Sequence, residues 1–339
     1  NFSGYHISEA GASPLHEAAF TLANLIIYVD EVRKTGLDVD DFAPRLAFFF
    51  VSQGDFFEEI AKFRALRRCY AKIMRDRFGA KKPESMRLRF HCQTAAATLT
   101  KPQPMVNVVR TAMQALSAVL GGAQSLHTNG YDEAFAIPTE DAMRLALRTQ
   151  QVIAEETNVT SVVDPIGGSY YVESLTAELA DKAWALMEEV EEMGGMTKAV
   201  ESGMPKLRIE ESAARRQAMV DRGEEVVVGV NKFQRGEASP LMTGDGGIMV
   251  VDPAVEQEQV NRLQEWRQSR DSAAVEAALA ELRDAASKGT NVMPASIKAA
   301  KAGVTTGEWA AQMRSIHGEY RGPTGVSGSP SNKTEGLDD

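Results

Sequence analysis

The chain has 339 residues, 43% of them hydrophobic, two cysteines and a formal net charge of −10. That is apolar material for one large core or two moderate ones, with no run of about 20 apolar residues that could cross a bilayer. The acidity argues against wholesale nucleic-acid binding, which needs clustered Lys and Arg, and Cys69 and Cys92 are too few for a disulfide framework and lack metal-ligand spacing.

Strand-like apolar stretches recur roughly every 35 to 45 residues, each followed by a helical pattern, an alternation that implies parallel strands joined by crossover helices. The strands are expected at 2–6, 45–51, 87–92, 123–127 and 160–164. After the first, Ser13 can cap a helix with Pro14 in its opening turn, and Leu15, Ala18, Leu22, Leu25, Ile26, Val29 and Val32 share one face until Gly36. The second helix runs over 55–78 with Phe56, Ile60, Phe63, Tyr70, Ile73 and Met74 inward, and Gly79 ends it. Helices over about 105–120 and 139–156 follow, the latter opening on Pro138-Thr139-Glu140-Asp141, a cap with acidic first-turn residues. Beyond 172 come helices at 177–192 and 205–222, a short strand-like stretch at 226–230, and a further pair over 255–287 and 295–316.

The pattern is α/β: the C-terminal part of a (β/α)8 TIM barrel over 1–172, a helical extension over 173–318, and a Gly-, Ser- and Pro-rich linker or tail over 319–339. An open half barrel exposes strand edges and half a core, so the front of the barrel is expected to precede these residues, and the isolated chain to aggregate or depend on the missing strands. Asn1-Phe2-Ser3 shows no charged and apolar leader, so no secretory signal is expected.

Barrel sites sit at strand C-terminal ends, and every candidate motif is expected at such an end. Adjacent strand residues face opposite sides unless the strand is ending, so Tyr5 and His6 can both reach a cavity from the end of 2–6. Read alone, the pair favours a core tyrosine and a turn-capping histidine, and Glu9 is a helix-dipole partner. Arg45 is a cation flanking an apolar strand. His91 and Gln93 alternate onto one face, with Phe90 and Cys92 on the other, which suits a two-point polar clamp. Gln124, His127, Asn129 and Glu133 follow a Gly121-Gly122 turn, and Asp164-Pro165-Ile166-Gly167-Gly168 forms a tight turn.

Four ordered motifs, Ser3-Gly4-Tyr5-His6-x-x-Glu9-Ala10-Gly11-Ala12, Arg45-Leu46-Ala47-Phe48, His91-Cys92-Gln93-Thr94 and Gln124-Ser125-Leu126-His127-Thr128-Asn129, resemble those of the methylmalonyl-CoA mutase family of adenosylcobalamin-dependent acyl-CoA mutases. The resemblance covers about residues 1 to 320. It implies that Tyr5 lies against the adenosyl group and corrin and helps break the cobalt–carbon bond, and that His6 hydrogen-bonds the thioester carbonyl. It further implies that Arg45, Ala47, Phe49 and His91 line the CoA and substrate side, and that Glu9, Gln93, Gln124, Asn129, Glu133 and Ala134 line the cofactor side. Two departures stand out: Ala47 replaces the usual Ser, and Ala95-Ala96 replaces the usual Ser-Gly after Thr94. A methyl in place of a glycine hydrogen leaves less room for a macrocycle.

None of His6, His16, His91, His127 or His317 lies in D-x-H-x-x-G, the family's lower cobalt-ligand motif, so a cobalamin-binding domain or subunit outside this chain is expected to supply the ligand. The resemblance implies interconversion of methylmalonyl-CoA and succinyl-CoA. The alternatives are ethylmalonyl-, isobutyryl- or 2-hydroxyisobutyryl-CoA mutase, or a non-catalytic scaffold subunit. A homo- or heterodimer with an acyl-CoA substrate, no nucleic acid and no membrane is expected, in the cytoplasm or, in a eukaryote, the mitochondrial matrix.

Overall fold

Four parallel strands pair in the order β1-β2-β3-β4, with β1 at Phe2–Ser3, β2 at Phe48–Ser52, β3 at Phe90–Thr94 and β4 at Ser125–His127. This is a computed structural model, and it describes residues 1–235, 241 and 247–320. Parallel neighbours require crossovers, and helices supply them. Between β1 and β2 lie α1 (Tyr5–Glu9), α2 (Pro14–Arg33) and α3 (Val39–Phe42); α4 (Phe56–Lys72) precedes β3, and α5 (Val106–Leu120) precedes β4. Then come α6 (Glu140–Glu156), α7 (Tyr170–Glu192), α8 (Met196–Ser202) and α9 (Met204–Asp221).

Local signals explain the helix starts. Ser13 Oγ accepts from His16 N with Pro14 in the first turn of α2, Asp55 caps α4 through Glu58 N, and Thr139 caps α6 through Ala142 N. One face of the sheet is the core: Phe48, Phe50 and Phe90 are buried with Leu22, Leu25, Phe63, Leu66 and Tyr70, and Phe63 stacks on Phe90 at 4.9 Å. Each such side chain contributes about 1.5–3 kcal/mol by burial. On the other face, Phe49, His91, Gln93 and His127 are half-buried and Ser125 is exposed, in rows set by the pairs Phe49 with His91, His91 with Ser125, and Gln93 with His127.

Several expectations are corrected. The strand expected at 2–6 ends at Ser3, and Tyr5 and His6 begin a helix. No strand forms at 160–164: residues 159–161 make a 3-10 turn, Asn158 and Asp164 have left-handed φ of 61° and 47°, and Arg64 pairs with Asp164. The segment is bent at both ends and tied to α4 instead of to a sheet edge. At 226–230 the Asn231 side chain bonds Val227 N, Val220 O and Glu225 O, closing a turn with an isolated bridge from Val228 to Lys232. Helix α7 starts at Tyr170, ahead of the expected 177.

The chain divides into compact units at 249/250. The expected division at 172 falls inside the first, where α7 packs on α2 and α4. In the second unit each of the two expected long helices is split. Asp271 caps α11 (Ser272–Ser287) and so breaks it from α10 (Pro253–Ser269), and Gly303, at φ 90°, ends α12 (Met293–Ala302) before a Thr305–Glu308 capping box opens α13 (Thr306–His317). The expected tail, apart from residues 319 and 320, lies outside the described residues.

Candidate active site at the strand ends

Gly4 N donates to Phe49 O at 2.8 Å, and the chain then turns into α1, which packs on β2. The turn lays the Tyr5 ring on Phe49, with centroids 4.6 Å apart and planes 6° from parallel. His6 stands edge-on to Tyr5 at 5.4 Å, and His91, on the next strand, lies 5.1 Å from Phe49. Two serines orient the imidazoles: Ser3 Oγ is 2.9 Å from His6 Nδ1, and Ser125 Oγ is 2.7 Å from His91 Nδ1.

A polar chain continues from the phenol. The Gln93 side chain acts on the Tyr5 phenol, and Gln93 Nε2 donates to Asn129 Oδ1 at 2.9 Å. Asn129 is buried and fixed by Thr94, donating through Nδ2 to Thr94 O at 2.8 Å and through its backbone N to Thr94 Oγ1. Glu133 Oε1 accepts from Gly130 N at 2.6 Å, with half-buried Ala134 beside it. Both oxygens of Glu9 are used, accepting from Ala96 N at 3.0 Å and Ala97 N at 2.8 Å, so Glu9 pins the loop after β3.

The electrostatics follow from burial. Desolvation, with the charges of Glu9 and Glu133, pushes the Tyr5 phenol up to about 12 against a small opposing pull from Gln93. Desolvation also raises Glu9 and Glu133, opposed by the backbone N–H groups each accepts, and lowers His91, helped by His127. Tyr5 therefore stays a neutral donor at ordinary pH.

The structure thus brings Tyr5, His6, Phe49, His91 and Gln93 together on one face of the sheet, with Glu9, Asn129 and Glu133 in the segments that follow the strands. Arg45 and Ala47 lie elsewhere: exposed Arg45 closes the 3-10 turn before β2, and Ala47 O accepts from Phe2 N at the start of the strands. Gln124 also sits at that end, where Oε1 accepts from Phe90 N at 2.7 Å and Nε2 donates to Gly122 O. Not every motif falls at a strand C-terminus, because these three residues precede their strands.

The sequence matches the family described as methylmalonyl-CoA mutase over residues 1–319. The chain belongs to the methylmalonyl-CoA mutase family. It is 61% identical to a 2-hydroxyisobutanoyl-CoA mutase large subunit of Aquincola tertiaricarbonis over 322 residues, which cover 95% of this chain and 57% of that protein. A methylmalonyl-CoA mutase of Cereibacter sphaeroides is 53% identical, covering 95% and 45%, and the mitochondrial methylmalonyl-CoA mutase of Homo sapiens is 44% identical, covering 95% and 42%. The chain spans about half the length of these relatives. For a mutase-family chain, four parallel strands with helices against one face are part of a TIM-barrel wall.

Sequence reasoning missed three residues beneath this mutase-family site. Glu17, Glu59 and Lys62 form a buried ion cluster, each at most 1% exposed, with Lys62 Nζ 2.7 Å from Glu17 and 2.6 Å from Glu59. The available signal was Glu59 and Lys62, spaced i,i+3 and each directly preceding an inward residue, Ile60 and Phe63. Ser3 and Ser125, which hold the two histidines, were also missed as individual contributors.

Proposed function

We propose that this chain carries the substrate-facing wall of an adenosylcobalamin-dependent acyl-CoA mutase whose cobalamin-binding module is a separate domain or subunit. The observation that carries the reading is the Tyr5–Phe49 stack flanked by His6, His91 and Gln93 on a partly open face. The residues present suit the cofactor: stacked rings offer a flat wall to a planar group, and Gln93, Asn129 and Glu133 offer polar partners to an adenosyl moiety. Among the described residues, Glu133 uses one oxygen on Gly130, leaving the other to accept from a hydroxyl. Two relatives named as large subunits, of Aquincola tertiaricarbonis and Porphyromonas gingivalis, support a separate partner subunit.

When bound, the cofactor supplies a cobalt–carbon bond whose homolysis starts a radical rearrangement. The chain's own residues bind, orient and exclude water. With Ser3 donating to His6 Nδ1, His6 Nε2 carries the hydrogen and donates to the thioester carbonyl oxygen, whose negative charge grows as the acyl group migrates. Tyr5, held neutral and flat on Phe49, walls the reacting carbons from solvent.

The 61% identity favours a 2-hydroxyisobutanoyl-CoA-type substrate. The methylmalonyl-CoA to succinyl-CoA conversion is the second reading, favoured by relatives of that name at 53% and 51% identity. The full-length protein, with its cobalamin partner and adenosylcobalamin, should isomerise one of these two thioesters. Turnover of neither by cofactor-loaded protein rejects the reading.

A further inference from the structure

Strand β1 stops early, and side chains complete the ladder it abandons. In the register that pairs Ser3 with Phe49, a longer β1 would offer Gly4 O to Val51 N and His6 N to Val51 O. Gly4 O is instead taken by Ser8 N at 3.1 Å, at the opening of α1. Val51 N donates to Glu17 Oε1 at 2.9 Å, and Val51 O accepts from Lys62 Nζ at 2.7 Å. The carboxylate stands where the Gly4 carbonyl would be, and the ammonium where the His6 amide would be. Val51 is fully buried, so a backbone group left unmet there would be strongly unfavourable.

We propose that Glu17 and Lys62 are positioning residues for Tyr5 and His6: by satisfying Val51 they let the chain leave the sheet at Gly4 and fix α1 over Phe49. The proposal rests on the active-site reading above. A second observation supports it. A Cβ on Gly4 would lie 2.6 Å from Thr21 Oγ1 and 2.8 Å from Glu17 Cγ, so the turn closes directly onto the Glu17 side chain. Glu59 also binds the ammonium, and among the described residues its second oxygen, Glu59 Oε1, is buried without a partner. The cluster, reached from α2 and α4, thus ties both helices to the point where β1 ends.

The test uses the full-length protein with its cobalamin partner. Glu17→Gln keeps an acceptor for Val51 N, whereas Glu17→Leu removes it. In the Leu variant, amide exchange at Val51 and across Tyr5–Ser8 is expected to speed up at least about tenfold with Phe48–Phe50 unchanged. Its kcat should fall at least about tenfold while KM moves less than about threefold, and the Gln variant should recover both to within about threefold. Gly4→Ala, which crowds Glu17 without removing a hydrogen-bonding group, should produce the same exchange pattern and so covers failure of the Leu variant to fold. Wild-type exchange across Tyr5–Ser8 in either folded variant, or a Gln variant no better than Leu, overturns the proposal. If the parent protein turns over no acyl-CoA the functional reading fails, yet the exchange measurements still decide whether Glu17 and Lys62 hold this turn.

Discussion

Tyr5 lies flat on Phe49, ring on ring at 4.6 Å, although the two residues come from a helix and a strand more than forty positions apart. Stacks of this kind contribute about 0.5–1.5 kcal/mol beyond area burial. Here the platform also fixes the ring of a phenol on which Glu9, Glu133 and Gln93 act.

Replacing Tyr5 with Phe keeps the stack and removes the hydroxyl. Thermal stability should stay within about 0.5 kcal/mol of the parent while kcat falls roughly 10- to 100-fold. Because the phenol is pushed up to about 12, the parent's rate–pH profile should show no limb from Tyr5 below about pH 10. Parental kcat in Tyr5→Phe would leave the hydroxyl without a role.

For His6→Ala, loss of the carbonyl donor should lower kcat/KM by about 2–4 kcal/mol, roughly 30- to 1000-fold. His6 is exposed and among the described residues its Nδ1 bonds only Ser3, so the melting temperature should barely change. Unchanged turnover in the folded variant removes His6 from the mechanism.

Gln93 acts on the Tyr5 phenol and donates to Asn129, so Gln93→Ala removes a polar group that serves both. Cofactor affinity, followed by absorbance titration of the full-length protein, should weaken by about 1–2 kcal/mol, roughly 5- to 30-fold in Kd. An unaltered Kd would assign Gln93 to the substrate side or to structure alone.

Burial pushes the Glu59 carboxyl up to about 7 from its ordinary 4.5, against the attraction of Lys62 and with Glu17 adding to the rise. The folded state therefore binds this proton more tightly than the unfolded chain. The stability it contributes is fully present below about pH 4.5 and is lost as pH rises through about 7. Glu59→Gln, which mimics the protonated form, should narrow the difference in Tm between pH 5 and pH 8. An equal difference in both proteins would show that Glu59 does not titrate in that window.

Much of this architecture was legible because its causes are local. Ser13 and Thr139 announce α2 and α6 through caps that act within one turn, and the alternation of Phe90, His91, Cys92 and Gln93 separates the core face of β3 from its site face by the two-residue strand period alone. Four ordered motifs by themselves carry the family resemblance. The end of β1 was not legible. Whether Tyr5 continues a strand or starts a helix depends on who satisfies Val51, and the answer comes from Glu17 and Lys62, 34 and 11 residues away along the chain. The absence of a strand at 160–164 is of the same kind, since an extended segment needs a partner edge and here Arg64 holds Asp164 instead. Likewise Arg45 and Gln124 share motifs with site residues but fall at the far ends of their strands, because sequence order does not say at which end of a strand a neighbouring residue will stand. The sequence by itself determined the helices, the core face and the kinship; only tertiary structure decided where β1 ends and which polar groups meet, because backbone pairing and buried charge are satisfied by residues far apart along the chain.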